Sequence, residues 1–412
     1  MLNQSFEIKT LLRLTRRQEI IRFNLGREQS HYENSLSEIA ERINSDSFTF
    51  SSLIINKHKE KTIFSVDSAE DYYAIKKIAH DLKRLYKVKF SGRDQITEQI
   101  SAIFHDTSAY SIIKIDISSF FESINFKDTI ERLKHDNLLS YRSINILEEL
   151  SNLTISSHPG LPRGLGVSSI LSEIYMESID NAIKSIDGTY FYARYVDDMI
   201  IVTHSNTSTL ETYKKIINET GLSTNNKSVS LSIPTVIKTY DRRTARIEFL
   251  GYEYIISNTI SNTRKRHVNI FISRKKINKI KTRIIQSIQD FRVSKDYKTL
   301  ESRLRFLSSN YPIESSKYNK HLVSDNDTDE LRGGIYYNNK YITTPERLQE
   351  LNHFLTSLMF SKRSNSIGKT IQSIPIEKRR KLAAMDFKSG FIKKHYHDFS
   401  KTELNLICSC WN

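Results

Sequence analysis

The chain has 412 residues, 38% hydrophobic and 26% charged, which excludes a disordered polymer and suggests two or three subdomains around ordinary cores. Lys and Arg number 62 against 47 Asp and Glu, and the net charge of +15 points to a polyanionic partner, nucleic acid first; charge alone fits a non-specific polyanion binder equally well. The two cysteines, Cys408 and Cys410, read as ordinary thiols rather than a disulfide framework. No apolar run has membrane-spanning length and the N-terminus lacks a signal-peptide layout, so a soluble cytoplasmic protein is expected, with no membrane partner.

In chain order, residues 6–45 show helix-like spacing, with Leu11, Leu12, Leu14, Ile20 and Ile21 among basic residues. Ser68 can cap a helix running to about Tyr86, with Glu70 and Asp71 suiting its first turn. A basic stretch, KVKFSGRDQI, turns at Ser91-Gly92 and leads into a helix from Asp94 to about Phe104. Residues 110–117, YSIIKIDI, are apolar and β-branched and predict a buried strand.

A helix is expected over 126–150. The Gly/Pro-rich HPGLPRGLGVSS then opens another from about Ser168 to Ile186. Residues 189–203, TYFYARYVDDMIIVT, predict two strands joined by a tight acidic turn. A helix near 207–220 and a strand-rich region to about 256 follow. From Ser273 the chain becomes helical and basic, with Ile277, Ile280, Ile284, Ile285 and Ile288 on one stripe. A strand-like insert is expected at 333–343. His395 and His397 fit a surface turn better than a metal site.

Asp197 and Asp198 are adjacent acids in strongly apolar sequence, where carboxylates are costly and repel each other unless a cation is near. Read alone, the pair is better explained as an Asp-rich surface turn. Asp116 changes that balance, because it too ends an apolar strand. Two strands that deliver acids to one sheet end can build a two-metal site for phosphoryl transfer.

With that, IDISSFF, LPRGLGVSS and YVDD, in this order, resemble the three core palm motifs of reverse transcriptases. LSTNNKS resembles the loop that carries a lysine near the triphosphate, and FLGYEY resembles the primer-grip hairpin. The resemblance implies an α+β right-hand polymerase fold: fingers over 1–104, palm over 105–256, and a helical basic thumb with a C-terminal extension over 257–412. It implies that Asp116 and Asp197 ligate Mg²⁺, or Mn²⁺ in its place, with Ile117 beside them and Asp198 as the supporting third acid. Phe121 corresponds to the aromatic that crowds the sugar 2′ position, and either Phe121 or its neighbour Phe120 must be a core residue.

Arg93, with Lys87 and Lys89 as alternatives, corresponds to the basic fingers element on the triphosphate. Lys227 corresponds to a general acid for pyrophosphate, with an ordinary surface lysine as the equal alternative. Gly164, with Pro162 and Ser168, corresponds to the loop supporting nucleotide and template base. Nucleic-acid contacts are implied for Lys89, Tyr195, Leu250 and Gly251. The basic helix adds Lys275, Lys276, Lys279 and Arg283.

One departure stands out: the family pattern has Gln before the glycine and Pro after the serine, whereas this chain has Arg163 and Ser169. A guanidinium there can act on template or nucleotide, or it can pair with Glu173 or Glu177 on the following helix. The departure, with GGIYYNNKY and the C-terminal segment, resembles retron, abortive-infection and other defence-associated bacterial enzymes. Such a relative would copy a non-coding RNA into DNA from dNTPs during antiphage defence. A second polymerase or accessory defence protein, or self-association, would extend its partners. The rival readings are a template-independent or protein-primed polymerase, an inactive RNA-binding scaffold, and an intron maturase.

Overall fold

The computed structural model describes residues 2–58, 61–155, 160–204, 208–236, 243–260, 264–313 and 332–411. The chain forms two compact units, residues 1–96 with 109–234, and residues 97–108 with 235–412. Among the described residues, helices with four separate antiparallel sheets make the architecture α+β.

The first unit opens with α1 (Ile8–Leu14), α2 (Arg17–Arg22) and α3 (Gln29–Asn44), three helices where periodicity predicted one helical region. A hairpin of β1 (Ile54–His58) and β2 (Lys61–Ser65) precedes α4 (Ala69–Leu85). Ser68 caps α4 by accepting from the Asp71 amide, as the cap signal predicted. The chain passes between the units within α5 (Arg93–Phe104) and returns with β3 (Tyr110–Asp116). After the short α6 (Phe120–Ser123), the single helix expected over 126–150 is divided into α7 (Phe126–Asp136) and α8 (Tyr141–Ile155). The division falls at Asn137, which ends α7 at φ 52°, a left-handed cap that asparagine tolerates.

Then come α9 (Gly166–Lys184), β4 (Thr189–Tyr195), β5 (Asp198–His204), α10 (Leu210–Glu219) and β6 (Val229–Ile233). The strands form one sheet in the order β4-β5-β3-β6. Strand β3 is paired on both edges and buried on both faces from Tyr110 to Ile113, and the burial explains why its sequence is largely apolar before Lys114 rather than alternating. The apolar core of this unit runs from Phe6 through α4, β3, α9 and Met199 to Leu222.

The second unit holds a meander of β7 (Thr244–Phe249), β8 (Tyr252–Ile260) and β9 (Arg266–Ile272). Then follow α11 (Arg274–Ser294), α12 (Tyr297–Ser308) and a small sheet of β10 (Asn310–Pro312) with β11 (Arg332–Gly334). The insert expected to be strand-like over 333–343 is strand only to Gly334. Gly334 takes φ 116° and the chain turns away through Asn338 and Asn339. Helices α13 (Glu346–Met359), α14 (Ser366–Gln372), α15 (Ile376–Ala383), α16 (Phe387–Ile392) and α17 (Lys401–Cys408) complete the unit. No described helix is long and apolar enough to cross a membrane.

Candidate active site

The antiparallel register of β3 on β5 sets Asp116 directly opposite Asp198. The register of β4 on β5 pairs Tyr195 with Asp198, leaving Val196 and Asp197 as a two-residue turn. Only Val196 of these two takes positive φ, 59°, the pattern of a type II′ hairpin turn. A β-branched residue in that conformation is a true outlier. The turn is tied to the end of β3 by the Ile117 amide, which donates to the Asp197 carbonyl at 3.3 Å. Two strands thus deliver Asp116 and Asp197 to one cavity of about 360 Å³, also lined by Lys61, Ile117, Phe121, Arg163, Asn225 and Lys227.

The electrostatics of this cavity are those of two acids under three cations. Burial pushes the Asp197 carboxyl above the usual carboxylate range, the Asp116 charge adds to the push, and Lys61 and Arg163 oppose it. Asp116 accepts from the Asn225 side-chain amide, and its carbonyl accepts the Asn225 N–H at 2.9 Å. Lys227 Nζ lies 4.0 Å from Asp116 Oδ2 on an exposed side chain. Asp198 takes a different partner: its Oδ1 lies 3.8 Å from Lys114 Nζ, two residues before Asp116 on β3.

Asp198 therefore does not close a three-carboxylate cage. Among the described residues no group of three His, Cys, Asp or Glu side chains is arranged to hold a metal. The donor set still fits a hard divalent ion. Mg²⁺ is commonly held by one or two carboxylates with substrate phosphates completing the shell, not by an all-protein cage. Asp116 and Asp197 are two such carboxylates, and repulsion between them is what a cation would relieve. Ile117 is buried and apolar, so any oxygen it offers is its main-chain carbonyl.

Phe120 is the core member of its pair, 2% exposed, while Phe121 is half-buried with its ring 5.3 Å from that of Phe120. Arg163 pairs with neither Glu173 nor Glu177. Its Nε and Nη2 donate to the two carboxylate oxygens of Glu122, each at 3.1 Å. Gly164 takes φ 103°, and a Cβ there would stand 2.4 Å from the Phe64 carbonyl, so only glycine lets this loop lie against β2.

Lys61, at the start of β2, is the cation that sequence reasoning missed. Its signal was present as apolar Ile54-Ile55 and Ile63-Phe64 flanking a lysine-rich turn. Arg93 begins α5 and does not line the cavity. Lys87 and Lys89 line a separate cleft with Glu177 and Lys184. The cation that the β1–β2 hairpin brings to this cavity is Lys61, because the loop carrying Gly164 packs on β2.

A second missed residue is Arg194 on β4. It is almost fully buried and donates to Asp180 at 2.8 and 2.9 Å and to Glu173 at 2.7 and 2.9 Å, both on α9. Its Nη1 also donates to the Val196 carbonyl at 3.1 Å. This bidentate network bolts α9 to the turn that presents Asp197. Tyr195, the last residue of β4, is exposed opposite Asp198.

The remaining expected residues lie in the second unit. Leu250 and Gly251 form the β7–β8 turn. Lys275 and Lys279 are exposed on α11. Lys276 is turned inward, donating to the Asn338 carbonyl at 3.1 Å and Asn339 Oδ1 at 2.9 Å over the Tyr252 ring. Arg283 covers the Trp411 ring at 5.0 Å. The basic face of α11 is thus divided between exposed cations and cations that pack on protein.

Residues 29–254 match the family model described as reverse transcriptase (RNA-dependent DNA polymerase). No curated protein matches the chain. A solved structure, apo telomerase from Candida tropicalis truncated from its C-terminal domain, is similar at 14% identity, with a TM-score of 0.35 and 56% of each chain covered. The match thus spans little more than half the length of that telomerase. The family model covers more than half of the present chain and contains every motif of the cavity. The chain belongs to the reverse transcriptase family.

Proposed function

We propose that this cavity is the nucleotide-addition site, and that Asp116 and Asp197 hold Mg²⁺ there, with Mn²⁺ able to substitute. The carrying observation is the β3–β5 register, which brings these two carboxylates to one sheet end beneath Lys61, Arg163 and Lys227. The metal supplies charge neutralisation for phosphoryl transfer, with the Ile117 main-chain oxygen as a further donor. Lys61 and Lys227 meet the triphosphate. Lys227 is exposed enough to move with the substrate and donate a proton to departing pyrophosphate. Asn225 fixes the Asp116 carboxylate through its side-chain amide. Asp198, drawn to Lys114, supports the turn from outside the metal shell. Phe121 lines the cavity where a sugar 2′-hydroxyl would clash.

The template is a non-coding RNA and the setting is bacterial antiphage defence. Arg163, Ser169 and the C-terminal segment support this through their likeness to defence-associated relatives. The decisive experiment purifies the protein from its host, sequences the co-purifying nucleic acid, and supplies labelled dNTPs with Mg²⁺. Labelled DNA complementary to a bound RNA is the expected product. DNA without a complementary RNA would overturn the template assignment. DNA covalently fixed to the protein would overturn nucleic-acid priming.

A further inference from the structure

Phe121 belongs to a helix of only four residues, so local secondary structure holds its ring weakly. Its main chain is fixed from the Gly-rich loop, where the Leu161 amide donates to the Phe121 carbonyl at 2.8 Å. Its side chain is fixed by Arg163. That guanidinium lies 4.9 Å from the ring centroid, while its Nε and Nη2 grip both oxygens of Glu122, the next residue in the chain. Burial raises the Glu122 carboxyl, but the Arg163 hydrogen bonds, a backbone hydrogen bond and the charges of Arg163 and Lys61 together outweigh it and hold the group below the usual range, ionised at neutral pH. The Arg163 carbonyl in turn accepts the Phe64 amide at 2.7 Å, which anchors the loop to β2.

We propose that Arg163 and Glu122 form a clamp that fixes the Phe121 ring and thereby sets the discrimination between deoxyribonucleotides and ribonucleotides. The inference rests on Phe121 being the residue that meets the sugar 2′ position. A steric filter works only if the ring cannot rotate away from the extra hydroxyl, and a half-buried phenylalanine has staggered alternatives. A planar guanidinium both stacks on the ring and takes a carboxylate bidentately, so one side chain ties ring and backbone together. Lysine lacks the fork, and glutamine lacks fork and charge. Because Glu122 takes the Nε–Nη2 edge of the guanidinium, Arg163 acts here as a positioning residue.

The test uses the full chain on an RNA template with a DNA primer, and measures kcat/KM for single additions of dCTP and CTP. Phe121→Val should raise the CTP-to-dCTP ratio by roughly a hundredfold, and Arg163→Gln or Glu122→Gln by roughly tenfold each. Arg163→Lys should fall between wild type and Arg163→Gln. In the Phe121→Val background, Arg163→Gln should add nothing, because the ring it positions is gone. If Phe121→Val admits CTP while both clamp variants leave the ratio unchanged, the clamp is overturned and the gate stands. If Phe121→Val itself leaves the ratio unchanged, the gate reading falls and the clamp with it. A full additional effect of Arg163→Gln on Phe121→Val would also overturn the clamp, since Arg163 would then act on the nucleotide directly. Glu122→Gln preserves side-chain size and one acceptor, and it carries the test if Arg163→Gln does not fold.

Discussion

The β4–β5 turn of the first unit and the β7–β8 turn of the second are both two residues long, and both hold a branched residue at positive φ: Val196 at 59° and Leu250 at 46°. That conformation costs roughly 1–2 kcal/mol per residue and persists only where the surroundings impose it. The surroundings differ. Val196 is held by charge, through the Arg194 hydrogen bond to its carbonyl and the four bonds from that guanidinium to Glu173 and Asp180. Leu250 is followed by Gly251, also left-handed at φ 78°, and the stem of Lys276 lies where a Gly251 Cβ would be. A turn that must aim a carboxylate is fixed by directional ion pairs from a neighbouring helix. A turn that only shapes backbone is fixed by close packing.

The largest effect expected is chemical. Asp197→Asn should lower dNTP incorporation by roughly 10²–10³-fold or more, while leaving the metal-free fold as stable as before or more so. The sign follows from the raised Asp197 carboxyl: the folded state prefers it protonated, so its ionised form subtracts stability above the usual carboxylate range. A lower metal-free melting temperature would mean that Asp197 holds the fold together rather than the metal.

Next comes Arg194→Met, which leaves Glu173 and Asp180 without their cation, Asp180 keeping the Tyr192 hydroxyl, and should cost ~3–5 kcal/mol in chemical denaturation. Gly251→Ala should cost less, ~1–2 kcal/mol, because its obstacle is a left-handed φ and a flexible lysine stem. Equal losses from the two would show that both turns are fixed in the same way and would break the comparison.

The sequence made the acid-bearing strands legible because β3 and β5 are buried on both faces, so their acids interrupt apolar runs and cannot be overlooked. It could not reveal partners set by folding. Arg194 reads as an ordinary polar position in an alternating strand, and its two carboxylates lie on α9, seven residues apart on one helix face. Arg163 was visible as a departure, but its partner was sought on the following helix when it sits beside Phe121. Lys61 was missed because Lys-rich turns are common and only packing of β2 against Gly164 brings this one to the cavity.

The smallest effect should separate the lysines of α11, which the sequence treats alike. Lys275 and Lys279 are exposed and four residues apart, so they share a face and are the candidates for phosphate contacts. Lys276 is held by Asn338, Asn339 and the Tyr252 ring, next to the Leu250–Gly251 turn. Lys275→Ala with Lys279→Ala should therefore weaken RNA binding and flatten its dependence on log salt by about 0.7–0.9 per lost phosphate contact, with little change in melting. Lys276→Ala should do the reverse, lowering stability by about 1 kcal/mol through its lost hydrogen bonds while the salt slope stays put. Filter binding across a salt series, paired with thermal melting of the same variants, reads both quantities. A flattened slope in Lys276→Ala would show that this lysine leaves its protein partners to meet phosphate. The β7–β8 turn would then be held only while nucleic acid is absent, and its contrast with the ion-paired Asp197 turn would become a functional one.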